Sequence, residues 1–178
     1  MKHKNIDIMH LNKCPDYDII YCDPPWEERM VKYFETIMEK SGHKKPNNTI
    51  SEILYKLGEL ADTNKPLFIE YSVKNHERVI KIMESFGHKF NKVFESIYDG
   101  NRPYVIISFN TSILIENGLK DQLSLKRILE KTKAKTVFDM FAGIGVICKI
   151  VEDYGCEYIG YELNPERFKK LIKVTRQC

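Results

Sequence analysis

Two stretches of this chain gather residue types that do chemistry. The first is YCDPPWEE, Tyr21 to Glu28, where a carboxylate (Asp23), two rigid prolines (Pro24, Pro25) and the only tryptophan (Trp26) directly follow the apolar run Ile19, Ile20. Taken alone, DPPW also suits a turn after a buried strand with Trp26 capping the core. The second is VFDMFAGIGV, Val137 to Val146, followed by YIGYELNPER. A strand that ends at Asp139 and runs through Gly143 and Gly145 into a helix lets the backbone approach a ligand closely at the carboxyl end of a sheet. Glu162 ends the next strand candidate, 23 positions after Asp139, about where a doubly wound fold places the carboxylate that receives a ribose hydroxyl pair. GxG alone is a weak signal, but Asp139, two glycines and Glu162, each at a strand end, form a stronger constellation. The third glycine of a pyrophosphate turn is missing, which favours a nucleoside without phosphates over a dinucleotide.

The elements that must hold these residues alternate strand and helix along the chain. Strands are predicted at Ile6–Met9, Asp18–Cys22, the LFIEYS run from Leu67, Lys92–Tyr98, Tyr104–Asn110, Thr136–Met140 and Glu157–Glu162. The second is almost wholly apolar, as a buried parallel strand should be. Helical spacing marks Val31 to Met38, Ile50 to Ala61, Val79 to Phe86, Leu119 to Leu129 and Val146 to Tyr154, and a sixth helix starts at Asn164-Pro165. Thr49 and Glu52 form a capping-box pattern, and Gly87 and Gly155 are stop signals. Asp99-Gly100-Asn101 predicts the turn of one antiparallel hairpin, because glycine accepts positive φ at little cost. That makes seven strands and about six helices, with no repeat, low-complexity tract or linker. The polar stretch Lys40 to Asn48 is the best candidate for a mobile loop.

Composition sets broad limits. The 178 residues, 43% of them apolar, suit one domain with a real core, and the net charge of +3 permits a nucleic-acid partner without arguing for one. No apolar run approaches the roughly 18–20 residues of a membrane span, and MKHKNIDIMH has no apolar signal core, so a cytoplasmic protein with no membrane partner is expected. Cys14, Cys22, Cys148, Cys156 and Cys178 are odd in number, with no CxxC pair and no histidine at zinc-ligand spacing. They read as reduced structural thiols, and no metal site is expected. Cys14, followed by Pro15, lacks a neighbouring helper that would make it a nucleophile.

Asp139-Met140-Phe141-Ala142-Gly143-Ile144-Gly145 resembles the DxFxGxG cofactor motif of S-adenosylmethionine-dependent DNA amino-methyltransferases. Glu162-Leu163-Asn164-Pro165-Glu166 is similar to the segment after their second strand, and Asp23-Pro24-Pro25-Trp26 resembles their catalytic tetrapeptide, [DNS]PP[YFW]. The resemblance implies S-adenosylmethionine as cofactor, with Asp139, Phe141, Ala142, Gly143, Gly145, Glu162 and Asn164 around it, and Asp23, Pro24, Pro25 and Trp26 as the catalytic set. The tetrapeptide leads the cofactor motif by more than a hundred residues, an order that looks like the circularly permuted beta group. The implied fold is α/β: a Rossmann-like, doubly wound, seven-stranded and mostly parallel sheet with one antiparallel hairpin. Residues 1–178 would form a single methyltransferase domain with no separate target-recognition domain evident.

This resemblance gives DPPW a chemical purpose. The exocyclic amine of adenine is a poor nucleophile because its lone pair is delocalised into the ring. Asp23 and the carbonyl of Pro24 would accept hydrogen bonds from both N–H groups, and the consecutive prolines would hold those acceptors in place. Trp26 would offer a flat face to the extruded base. An Asp-led tetrapeptide favours adenine N6 in DNA. The final Trp also resembles N6-adenosine methyltransferases of RNA, and cytosine N4, typical of a Ser-led motif, and a non-catalytic subunit remain alternatives. The family often carries a GD pair after the strand before the tetrapeptide. Here Met9 and His10 stand there, and Asp7 falls too early to replace them. Its Lys-Pro element is replaced by KDQLSLKRIL, where Ser124 or Lys126 are candidates for the cofactor carboxylate. Only about ten residues separate Asn110 from the helix near Leu119, so target reading would fall to short loops such as Glu27 to Asn48, with Lys40, Lys44 and Lys45, or to a homodimer or partner subunit.

Overall fold

The computed structural model describes residues 2–98 and 100–175. In chain order the elements are β1 (Lys4–Asn5), a 3-10 turn (Ile8–His10), β2 (Ile19–Cys22), α1 (Glu28–Lys40), α2 (Ile50–Leu60), β3 (Leu67–Tyr71), α3 (His76–Ser85), β4 (Phe90–Tyr98), β5 (Arg102–Phe109), β6 (Leu119–Lys120), α4 (Asp121–Thr132), β7 (Thr136–Asp139), α5 (Val146–Asp153), β8 (Glu157–Glu162) and α6 (Pro165–Thr175). The strands form one sheet in the order β1-β8-β7-β2-β3-β5-β4-β6. Every residue of β2 and β3 is buried, which is why both read as unbroken apolar runs rather than alternating ones. Burying each large aliphatic side chain here contributes about 1.5–3 kcal/mol.

The topology decides where the two motifs meet. β2 and β7 are parallel neighbours, with Ile19 opposite Val137 and Ile20 opposite Phe138. From β2 the chain moves out to β3 on one side, and from β7 it moves to β8 on the other. The sheet therefore reverses its winding between β2 and β7, and a crevice opens at such a point beyond the carboxyl ends of the strands. Asp23 directly follows β2 and Asp139 closes β7, so DPPW and the glycine turn flank the same crevice.

The sheet has eight strands among the described residues rather than seven, and two short edge strands account for the difference. Ile6–Met9 is not a strand. The Asp7 side chain accepts the Met9 N–H at 3.0 Å and caps the 3-10 turn, a local bond that competes with extended structure. The first strand lies earlier, at Lys4–Asn5, where Lys4 pairs with Tyr161 and Asn5 with Glu162. Both residues are exposed and polar, so no alternation marks them. Leu119–Lys120, expected as the start of a helix, is instead an edge strand beside Ser96 and Ile97, and α4 begins at Asp121.

The other local signals act as their chemistry predicts. Thr49 and Glu52 form a reciprocal capping box, and the Asn164 Oδ1 accepts the N–H groups of Glu166 and Arg167 at the start of α6. β4 and β5 pair antiparallel, and Gly100 and Asn101 have φ of 93° and 61°. Asp99, the first residue of the expected turn, lies outside the described residues. No disulfide joins Cys14, Cys22, Cys148 and Cys156, and Cys178 lies outside the described residues. Burial pushes the Cys14 thiol up to about 12, and its Sγ donates to the Leu60 carbonyl at 3.2 Å, which suits an unreactive thiol. No helix among the described residues is long and apolar enough to cross a membrane.

Candidate active site

A cleft with two lobes lies over the carboxyl ends of the strands. The first lobe is lined by Asp7, Asp23, Pro24, Pro25, Glu162 and Asn164, among others. The second is lined by Glu70, Tyr98, Ala142 and Gly143, among others. Asp23, Phe141 and Arg167 line both lobes, so the two are immediate neighbours. The Lys40 to Asn48 stretch contributes Pro46 and Asn48 to the first lobe.

Most of the predicted site residues face this cleft, whereas Trp26, Asp139 and Gly145 stand behind its walls. Asp139 is fully buried beneath the glycine turn. Its Oδ1 accepts the Phe141 N–H at 2.8 Å and its Oδ2 accepts the Tyr158 hydroxyl at 2.8 Å. It shapes the turn rather than touching what lies in the cleft. Gly145 has φ of 94° as the residue before α5, and a Cβ there would come 3.1 Å from Leu171 Cδ1. Gly143 has φ of 58°, and a Cβ there would meet the movable end of Arg167, Nη2, at 2.6 Å. Both positions need a residue without a side chain.

Glu162 is 7% exposed, and each of its oxygens accepts a backbone N–H: Oε2 from Gly143 at 2.7 Å and Oε1 from Asn164 at 2.7 Å. It thereby ties the glycine turn to the end of β8. Burial raises its carboxyl above the usual range, against the pull of these N–H donors and of Arg167, whose Nε stands 3.8 Å away. The Arg167 guanidinium also lies 4.7 Å from the Phe34 ring centroid, across the first lobe. Asn164 lines the first lobe, and its buried Nδ2 has no hydrogen-bond partner.

Trp26 departs from expectation. It is only 7% exposed, its ring stacks on Tyr98 (5.9 Å, 22°), and the Arg102 guanidinium lies 5.1 Å from its centroid. Its indole Nε1 donates to Asp23 Oδ1 at 2.7 Å, and its carbonyl accepts the Tyr71 hydroxyl at 3.2 Å. In this geometry Trp26 aims Asp23 rather than presenting an open face. Asp23 itself is half-buried in the cleft wall. Desolvation first, then the negative charge of Glu70, pushes its carboxyl well above the usual carboxylate range, opposed by the Trp26 bond and Arg167.

Three residues that bear on this site stand outside the predicted set. Asp7, set aside as too early in the chain when the first strand is expected at Ile6–Met9, lines the first lobe because β1 ends at Asn5. Glu70 is the lone carboxylate of the buried strand LFIEY, a signal that could have been read. Arg167 carried no signal beyond lying two residues after Pro165. Ser124 and Lys126 do not line the cleft. The Ser124 hydroxyl is buried against Ser96 Oγ and the Lys120 carbonyl, and Lys126 is exposed.

Asp139 makes a pH prediction. Burial raises its carboxyl from 3.8 to about 7, so between those values the folded chain binds more protons than the unfolded one. Stability from this group is then greatest below about pH 4 and declines as the pH rises to about 7. Asp139→Asn removes the titration and is expected to flatten part of that decline, as read by denaturant unfolding at a series of pH values. An unchanged slope would contradict the assignment.

No family model and no curated protein matches this chain. Solved structures do. The complex of M1.HpyAVI with SAM has a TM-score of 0.63 at 14% identity, over 88% of this chain and 88% of that one. TTHA0409 of Thermus thermophilus, provisionally named a DNA modification methylase and solved with S-adenosyl-L-methionine, has a TM-score of 0.61 at 11% identity, over 89% and 85%. PvuII DNA methyltransferase, cytosine-N4-specific, has a TM-score of 0.52 at 10% identity, over 90% and 84%. This chain shares their fold.

Proposed function

We propose that this protein transfers a methyl group from S-adenosylmethionine to the exocyclic N6 amine of adenine in DNA. Residues 1–178 are then one methyltransferase domain of circularly permuted order. One observation carries the reading: Asp23 and the Gly143 turn, far apart in sequence, line one cleft at the ends of adjacent parallel strands. The fold shared with two proteins solved with this cofactor supports it.

The residues of the cleft suit the cofactor. The unpartnered Asn164 Nδ2 offers a donor, Glu162 retains acceptor capacity toward ribose hydroxyls, and Gly143 leaves space that any side chain would fill. Phe141 supplies an apolar wall, and Asp7 lies at the same lobe as Glu162 and Asn164, where a nucleoside base would sit. When bound, S-adenosylmethionine supplies an electrophilic methyl on a sulfonium sulfur. Asp23 and the Pro24 carbonyl accept the two amine N–H bonds and draw the nitrogen lone pair out of conjugation. Their hold strengthens as positive charge develops on nitrogen, so it acts on the chemical step. The Trp26 indole fixes Asp23, and exposed Arg102 must swing off the Trp26 ring before a base can stack there.

Target reading falls to loops such as Lys40 to Asn48 or to a second subunit. The cytosine-N4 reading stays in view because the PvuII enzyme shares the fold. Incubation with tritiated cofactor and duplex DNA, single-stranded DNA or RNA, followed by nucleoside analysis, tests the proposal. N6-methyladenine in DNA is expected. N4-methylcytosine, label in RNA alone, or no label in any arm would overturn it.

A further inference from the structure

Deeper in the second lobe lies a buried acidic network. Glu70 is 5% exposed, and its Oε1 accepts the Tyr21 hydroxyl at 2.5 Å while its Oε2 accepts the Tyr98 hydroxyl at 2.5 Å. The Tyr98 ring in turn stacks on Trp26, whose indole donates to Asp23. Burial pushes the Glu70 carboxyl above its usual range, and the two charge-assisted bonds from Tyr21 and Tyr98 oppose that rise and favour its ionised form. A carboxylate so deep in an apolar strand, held by two hydroxyls, is costly to fold and calls for a use.

We propose that Glu70 is a positioning residue whose charge, held beside Asp23 by Tyr21 and Tyr98, makes Asp23 the acceptor of the proton released by the amine. This rests on the methyltransferase reading of the cleft. In that reaction the nitrogen lone pair forms the N–C bond as the C–S bond breaks, and its electron pair stays on sulfur. The positive charge passes from sulfur to nitrogen, and one N–H proton must then leave. A carboxylate next to a second negative charge binds a proton more tightly than an isolated one. Around Asp23 stand Glu70 of β3, Asp139 of β7, the Arg167 guanidinium of α6, Tyr98 of β4, the Cys22 thiol and the Trp26 indole. Of the carboxylates among these, Glu70 acts on it most strongly.

The only tryptophan reports on Asp23 directly, so the test needs neither cofactor nor substrate. Trp26 fluorescence of the folded protein, followed against pH, is expected to show a transition that Asp23→Asn abolishes. Glu70→Gln should move the midpoint to lower pH, and Tyr98→Phe, which leaves Glu70 with one hydroxyl donor, should move it less in the same direction. Circular dichroism checks that each variant is folded over the range. In methyl-transfer assays, Glu70→Gln should move the acid limb of the rate–pH profile to lower pH and cut the plateau rate about tenfold or more. A wild-type protein without the transition, or a midpoint unmoved in both variants, would overturn the role of Glu70. A shifted midpoint in a protein that methylates nothing would instead overturn the proposed function.

Discussion

Asp23→Ala is expected to cut methyl transfer by roughly a hundred- to a thousandfold and to leave S-adenosylmethionine affinity within about threefold of wild type. The reason is positional. Asp23 stands at the junction of the two lobes, with its Oδ1 fixed by the Trp26 indole, and it is aimed by a rigid Pro-Pro backbone. Its proposed bond to the amine gains most as charge develops on nitrogen, so its loss falls on the turnover rate and not on cofactor binding. Asp23→Asn keeps the shape and one acceptor oxygen but loses the negative charge, and should fall between the two. Isothermal calorimetry and a single-turnover assay separate the effects. Loss of cofactor binding with near-normal turnover at saturation would reverse the assignment of roles.

Glu162→Ala is expected to do the opposite, weakening cofactor binding by about ten- to a hundredfold while the rate at saturating cofactor falls less. It should also destabilise the fold. Glu162 satisfies the N–H groups of Gly143 and Asn164, and leaving buried donors unpaired costs about 1–3 kcal/mol each. Glu162→Gln retains one acceptor oxygen and should recover part of the stability, with less recovery of affinity where both oxygens are needed by a hydroxyl pair. Chemical denaturation beside calorimetry reads both quantities. Unchanged affinity in a destabilised Glu162→Ala would leave Glu162 a purely structural brace.

These two variants probe residues that could be picked out from types and spacing, and much else was legible in the same way. The buried parallel strands stood out because β2 and β3 are apolar on both faces. The helix starts at Thr49 and Asn164 stood out because capping is a local bond between near neighbours. Local chemistry leaves local marks. By contrast, β1 and β6 are two-residue edge strands whose existence depends on distant partners, Tyr161 and Glu162 for one and Ser96 and Ile97 for the other. Their own residues carry no periodicity, and a first strand expected at Ile6–Met9 makes Asp7 fall too early for the site.

By itself the sequence determined the chemistry on offer: a carboxylate braced by two prolines, a glycine turn after an acidic strand end, and a second carboxylate one strand later. Only the tertiary structure decided how those groups are used. Register between β2 and β7 put Asp23 and Gly143 in one cleft. Packing turned Trp26 into the brace of Asp23, sank Asp139 beneath the turn, and brought Glu70, Tyr98 and Arg167 to the site from three separate elements. Spacing along the chain encodes what neighbours can do for one another. The field, the burial and the proton affinity at a site are sums over groups that meet only when the sheet closes.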